Sequence, residues 1–202
     1  MSSEHYFSET PGSSLSTHVR EITLRGRTLS VTTASGTFSP AGVDRGTEVL
    51  LKYAPTPPTT GSFLDIGCGW GPIALALALE SPEAKVYGID VNQRARDSAV
   101  MNVENLGLTN VTICDPDSVP SNLTFDLIWT NPPIRVGKKA LQGIMARWLA
   151  TLAPGGEAWV VIAKKLGGDS LHSWINEGSA GGFVAERVET AKGFRVLKVT
   201  RV

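Results

Sequence analysis

Phe183-Val184-Ala185-Glu186-Arg187-Val188-Glu189 and Phe194-Arg195-Val196-Leu197-Lys198-Val199-Thr200 close the chain, with only the tight turn Ala191-Lys192-Gly193 between them. Both runs carry the apolar, β-branched and aromatic residues of strands. A parallel neighbour needs a crossover of a dozen or more residues, which this turn cannot supply, so the last strand enters its sheet antiparallel. Upstream the pattern is different: short β-rich runs alternate with amphipathic helical stretches. Phe63 to Ile66 reads as a strand and Pro72 to Glu80 as its helix; Lys85 to Ile89 is the next strand and Gln93 to Leu106 its helix. Asn110 to Cys114 and Phe125 to Trp129 follow as strands. Lys138 to Leu152 reads as a helix ending at Pro154-Gly155-Gly156, and Glu157 to Ala163 as a fifth strand. Such alternation calls for a parallel sheet covered on both faces. Five parallel strands closed by an antiparallel hairpin make seven.

The N-terminal part does not share this rhythm. Val19 to Thr33 reads as a β-hairpin turning at Gly26; Asp44 is placed to cap a short helix through Val49, Leu50 and Leu51. Pro55-Thr-Pro-Pro-Thr-Thr-Gly61 then acts as a stiff linker. The expected organisation is an extension over residues 1–54, a hairpin and a segment covering a cofactor, followed by a catalytic domain over residues 55–202.

Composition narrows the class. The 202 residues carry 19 basic and 19 acidic side chains, a net charge of zero, so no global basic field draws in nucleic acid, and an RNA partner would need a local patch. Cys68 and Cys114 are the two cysteines, too few for a disulfide framework and without metal-ligand spacing. A reducing, cytoplasmic setting and no metal are expected. Residues 1–16 are polar, and no apolar run approaches the length of a membrane span.

Two motifs carry the chemistry. Asp65-Ile66-Gly67-Cys68-Gly69-Trp70-Gly71 lies at the carboxyl end of the first parallel strand and opens a helix, where glycines allow close approach of backbone to a ligand. Pro72 stands where a dinucleotide fingerprint needs a third glycine or alanine, so the spacing suits a nucleoside without a pyrophosphate, such as adenosylmethionine. Asp90 ends the second strand, placed for a ribose; the other reading is a helix cap. Asp115 ends the third strand, placed for an adenine amino group or for the turn Asp115-Pro116-Asp117. The second motif is Thr130-Asn131-Pro132-Pro133 directly after an apolar strand. Two prolines stop the strand and expose carbonyls, and Asn131 adds an amide at the same corner. If Asn131 Oδ1 and the Pro132 carbonyl accept the two protons of a planar amino group, its nitrogen is aimed for in-line alkylation with no general base or metal.

From His5 to Arg201 the chain resembles the methyltransferase-small family of class I adenosylmethionine-dependent enzymes. The resemblance rests on Tyr6-Phe7-Ser8, Gly36-Thr37-Phe38-Ser39 with Val43-Asp44-Arg45-Gly46-Thr47, Asp65 to Pro72, Asn131-Pro132-Pro133-Ile134-Arg135 with Gly137-Lys138, Val161 to Gly167, and Gly193-Phe194-Arg195-Val196-Leu197. It implies a Rossmann-like seven-stranded class I methyltransferase sheet, mostly parallel with an antiparallel last strand, plus the N-terminal hairpin. It further implies S-adenosylmethionine as cofactor and transfer to an exocyclic amino nitrogen, foremost guanine-N2 of ribosomal or other structured RNA. Asp65, Gly67, Gly69 and Gly71 would hold the methionine portion, Asp90 the ribose, Asp115 the adenine, and Asn131, Pro132 and Pro133 the target nitrogen. Phe38 to Thr47 would cover the cofactor from the other side. Many Asn-Pro-Pro enzymes carry an aromatic next, to stack on the target; Ile134 offers no such face. The version Ile134-Arg135 with Gly137-Lys138 resembles the short single-domain branch of the family.

Arg135, Lys138, Lys164 and Lys165, with Lys139, follow strand ends on one rim and form a candidate phosphate-binding patch. Protein glutamine methylation, a non-catalytic adenosylmethionine-fold module binding RNA or protein, and a nicotinamide oxidoreductase are the competing readings. Pro72 and the closing hairpin disfavour the last. His5, His18 and His172 are scattered, so no histidine catalyst is expected.

Overall fold

The structure, a computed structural model, describes residues 16–37, 39–133, 137–179 and 181–201. Phe38, Ile134 and Arg135, named above for the site, and Tyr6-Phe7-Ser8 lie outside the described residues.

β1 (Thr17–Leu24) and β2 (Arg27–Ala34) form the expected antiparallel hairpin through Arg25-Gly26. Both turn residues have positive φ, 46° at Arg25 and 83° at Gly26. α1 (Arg45–Tyr53) starts where Asp44 accepts a hydrogen bond from Gly46 N–H. The parallel series follows: β3 (Ser62–Ile66), α2 (Pro72–Glu80), β4 (Lys85–Ile89), α3 (Gln93–Asn105), β5 (Val111–Cys114), β6 (Phe125–Thr130), α4 (Lys138–Leu149) and β7 (Leu152–Ala163). After α5 (Gly168–Trp174), β8 (Phe183–Ala191) and β9 (Phe194–Arg201) close the sheet. The order is β5-β4-β3-β6-β7-β9-β8, with β9 antiparallel to both β7 and β8, as the short final turn requires.

α2 shows why sequence pattern sufficed for most elements. Pro72 enters at its first turn, where the missing N–H costs nothing. The Ala-Leu run behind it is apolar on every side, and Pro72 through Ala78 are all buried between the sheet and α1.

One boundary moves. α4 stops at Leu149, and β7 already begins at Leu152, five residues before Glu157. Phe125 N–H donates to Thr151 O, which pulls the chain into the sheet directly after the helix. Pro154-Gly155-Gly156 therefore ends no helix; it is the bulge between the pairs Phe125↔Leu152 and Leu127↔Glu157. A Cβ at Gly156 would sit 3.0 Å from the carbonyl oxygens of Ala153 and Phe125, so glycine is what lets the bulge lie flat on β6.

The hairpin is fastened rather than appended loosely. Leu24, Leu29 and Val31 share one apolar core with Val49, Leu50, Phe63, Trp70, Leu77 and Trp129. Asn102 on α3 accepts from Thr32 N–H and donates to Thr32 O and Trp70 O, so one amide joins β2 to the glycine loop. At the turn, Arg25 pairs with Glu80, donates to the carbonyls of Leu51, Ala54 and Pro55, and lies 5.5 Å over the Trp129 ring. Its side chain and that of Glu80 are 16% and 17% exposed. Arg25→Met keeps the stem but leaves Glu80 half-buried without its partner. We expect a loss of about 3 kcal/mol of stability, read as a lower urea midpoint; an unchanged midpoint would show that the hairpin is held by apolar packing alone.

Candidate active site

Strand register gathers the site. Ile66 pairs with Ile89 and with Thr130, and Ile89 pairs with Cys114. The next residue on each strand is Gly67, Asp90, Asp115 and Asn131. Four residues spread over 65 positions thus stand in one row at the carboxyl rim, the place where open α/β sheets receive ligands. Thr130 Oγ1 donates to Ile66 O and ties the two central strand ends together.

A cavity of about 620 Å³ opens over this row. Its walls include Gly67, Asp90, Val91, Asn131, Pro132 and Pro133, and from the N-terminal segment Thr37, Ser39, Pro40 and Asp44. A small cleft beside it runs over Gly67, Cys68 and Gly69 to Asp44, Thr47 and Asn131. The described part of the segment expected to cover the cofactor therefore faces the glycine loop across the site.

Gly67, Gly69 and Gly71 all have positive φ, 73°, 58° and 98°. Their N–H groups are committed within the protein: Gly67 and Cys68 donate to Ile89 O, Gly69 to Asp90 Oδ2, and Gly71 to Cys68 O. A loop that spends these donors internally is poorly suited to a pyrophosphate. It offers close approach of backbone instead, which fits a cofactor without phosphates.

Asp90 accepts from Gly69 N–H at 2.9 Å and from Asn92 N–H at 2.8 Å, bracing the loop against the start of α3. The α3 cap itself is Asn92, whose side chain accepts from Ala95 N–H. Burial raises the Asp90 carboxyl above its usual range, against the lowering effect of those two N–H bonds and of Arg96. Asp115 takes the turn geometry: it caps the 3-10 turn Pro116–Ser118 through Asp117 N–H and pairs with Arg96 at 3.2 Å. The cavity wall at this point is Pro116.

Asp65 lies beneath the loop and not in the wall. It is fully buried; Oδ2 accepts from Ala74 N–H in α2, and Oδ1 has no partner among the described residues. Burial drives its carboxyl well above the ordinary value, opposed by the Ala74 bond and reinforced by Asp90. With the folded pKa raised, its stabilising contribution is complete below the unfolded value near about 4 and is lost as pH rises through the folded value. Urea denaturation between about pH 5 and 8 should show wild type losing stability relative to Asp65→Asn as pH rises. Parallel pH slopes would reject this.

Asn131 is held with unusual definition. Its Nδ2 donates to Asp44 Oδ2 at 2.9 Å and to Thr47 Oγ1 at 3.2 Å, while Asp44 also accepts Gly46 N–H. A carboxylate only accepts, so it fixes which end of the amide faces it and leaves Oδ1 for a ligand. Gly46 is the residue that permits this packing. A Cβ there would lie 3.0 Å from Asn131 Nδ2, Asp44 Oδ2 and Phe194 Cε1 alike. Sequence reading assigned Thr47 to the cofactor; the structure places its hydroxyl on Asn131.

Phe194, Arg147 and Trp148 are among the wall residues to which the sequence reading gives no role at the site. Phe194 starts β9 opposite Ala163, and only the antiparallel entry of that strand brings it to the rim. Arg147 pairs with Asp117 and stacks over Trp148 at 4.7 Å. Of the expected phosphate patch, Lys138 begins α4 and Lys164 and Lys165 follow β7; all three are exposed on this rim and outside the cavity wall.

A family model described as the methyltransferase small domain matches residues 28–198. Over 207 aligned residues the chain is 38% identical to the uncharacterized protein YbxB of Bacillus subtilis (strain 168), covering 99% of this chain and 100% of that one. It is 30% identical to ribosomal RNA small subunit methyltransferase C of Shewanella loihica, over 81% of this chain and 49% of that protein. The chain spans about half the length of such relatives. Among solved structures it is similar to the T. Thermophilus 16S rRNA N2 methyltransferase RsmC, in complex with AdoMet and guanosine. That likeness has a TM-score of 0.80 at 24% identity, covering 96% of this chain and 52% of that one, and shows a common fold.

Proposed function

We propose that this chain, which belongs to the methyltransferase small domain family, uses S-adenosylmethionine to methylate an exocyclic amino nitrogen, foremost guanine-N2 in ribosomal or other structured RNA. The observation that carries the reading is the Asn131 amide, turned by Asp44 and Thr47 so that its carbonyl end is left for a donor, over a loop suited to a phosphate-free cofactor.

Bound S-adenosylmethionine would supply an electrophilic methyl on a sulfonium. The chain's part is to bind and aim. Gly67, Gly69 and Gly71 would admit the methionine portion along their backbone. Asp90, whose two oxygens each hold one N–H, keeps lone pairs for the ribose hydroxyls. Asp65 would act from below, holding α2 to the loop through Ala74. Pro116 would line the adenine side, with Asp115 fixing its turn. Asn131 Oδ1 and the Pro132 carbonyl would accept hydrogen bonds from the two N–H groups of the target amino group, one of whose protons would pass to solvent once the nitrogen carries the methyl. Its nitrogen lone pair, otherwise delocalised into the ring, is thereby directed at the methyl. The RNA assignment is supported by relatives named as ribosomal RNA methyltransferases and by exposed Lys138, Lys164 and Lys165 beside the site.

Calorimetry tests the cofactor. Saturable binding of S-adenosylmethionine without binding of NAD is expected. Binding of NAD alone would overturn the reading.

A further inference from the structure

We infer that Phe194 supplies the aromatic face on which the target purine rests, the role that Ile134 after Asn-Pro-Pro leaves open. The inference rests on the methyltransferase reading above and adds the residue that selects a flat ring.

Phe194 reaches the rim because β9 runs antiparallel: its first residue pairs with Ala163, the last residue of parallel β7. The ring lines the same cavity as Asn131, Pro132 and Pro133. Its Cε1 and Asn131 Nδ2 lie at the same 3.0 Å from the point where a Gly46 Cβ would stand, so ring edge and amide are neighbours. A side chain at Gly46 would separate them. The other aromatics lining the site among the described residues are already covered. Trp148 is 5% exposed beneath the Arg147 guanidinium, and Trp70 is 1% exposed in the core. Phe194 is half-buried, so among the described residues it is the aromatic ring at this site with surface still to cover. Leu166, which lines the cavity and is 56% exposed, adds apolar surface at the mouth. A planar base whose amino group is held at Asn131 would find an apolar, aromatic wall alongside. Stacking of this kind accepts any base face, leaving the choice of amino group to Asn131 and Pro132.

The test uses 2-aminopurine riboside, which carries an amino group at the purine 2-position and loses fluorescence on stacking. It is titrated into the full chain saturated with S-adenosylhomocysteine. Wild type is expected to quench it saturably. Phe194→Leu should weaken binding about tenfold, the effect of losing one aromatic stack, with S-adenosylhomocysteine affinity held within about twofold. Phe194→Tyr should restore it. Equal binding by Phe194→Leu, or no saturable quenching by wild type, overturns the inference. Either result leaves the methyltransferase reading standing so long as the same protein binds S-adenosylmethionine; loss of that binding would instead remove the reading itself.

Discussion

Asn131→Ala is expected to lower methyl transfer by about 10³-fold while leaving S-adenosylmethionine affinity within about twofold, the mark of an interaction made with the reacting group and not with the cofactor. The estimate follows from what the amide does. An exocyclic amino nitrogen conjugated to a purine is a weak nucleophile, and the proposed catalysis lies in accepting its protons and aiming its lone pair. Among the described residues no histidine stands at this corner to share that work; the groups present include Asn131, two prolines, Ser39, Asp44 and Thr47. Alanine removes one acceptor and leaves the Pro132 carbonyl, so a residual rate is expected. A matched loss of cofactor affinity would mean that Asn131 serves the cofactor instead. Rate and calorimetry on one preparation distinguish the two.

The second large effect is expected one residue further out. Asp44→Ser combined with Thr47→Val should reduce kcat by about 10²-fold, because a misaimed catalytic group costs that much even when present. Serine is as good a helix N-cap as aspartate, so α1 keeps its start. It is too short to reach Asn131, and valine removes the second acceptor while preserving volume. The amide is then free to turn its N–H end toward the target, where it would repel the protons it should accept. A fall in kcat with stability changed by less than about 1 kcal/mol supports this; a fall in stability with kcat intact would reduce the Asp44–Asn131 bond to a structural tie.

Much of this arrangement is legible in the sequence alone. Pro72 and the Ala-Leu run announced α2, and the short turn at Lys192-Gly193 dictated the antiparallel closure. The positions of Gly67, Asp90, Asp115 and Asn131 at strand ends followed from counting alternating elements, since parallel strands in register bring their carboxyl ends to one rim. What stayed hidden depends on contacts between distant segments. Local pattern marks Pro154-Gly155-Gly156 as a terminator, and only pairing with Phe125 turns it into a bulge. Asp44 read as a helix cap, which it is, but its second role needs Asn131, 87 residues away. Phe194 reads as the start of a strand and as part of the family resemblance; its place at the site needs the antiparallel register. Arg25 lay in a hairpin turn with nothing to show that Glu80 and three carbonyls would meet it.

The same logic separates Asp65 from Asp90. Both precede or follow the glycine loop as acidic residues at strand ends, and both are raised by burial. Alternation of side chains along β3 sends Asp65 under the loop to Ala74, whereas Asp90, one residue beyond β4, stands in the cavity wall. Sequence spacing alone does not tell an acid that supports a loop from one that faces a ligand.

Guanine-N2 transfer is tested by incubating the protein with tritiated-methyl S-adenosylmethionine and ribosomal subunits from a strain lacking the gene, then digesting the RNA to nucleosides. Label in N2-methylguanosine, its initial rate of incorporation lowered about 10³-fold with Asn131→Ala, is the predicted result; label confined to protein, or to ring nitrogens or ribose, would contradict it.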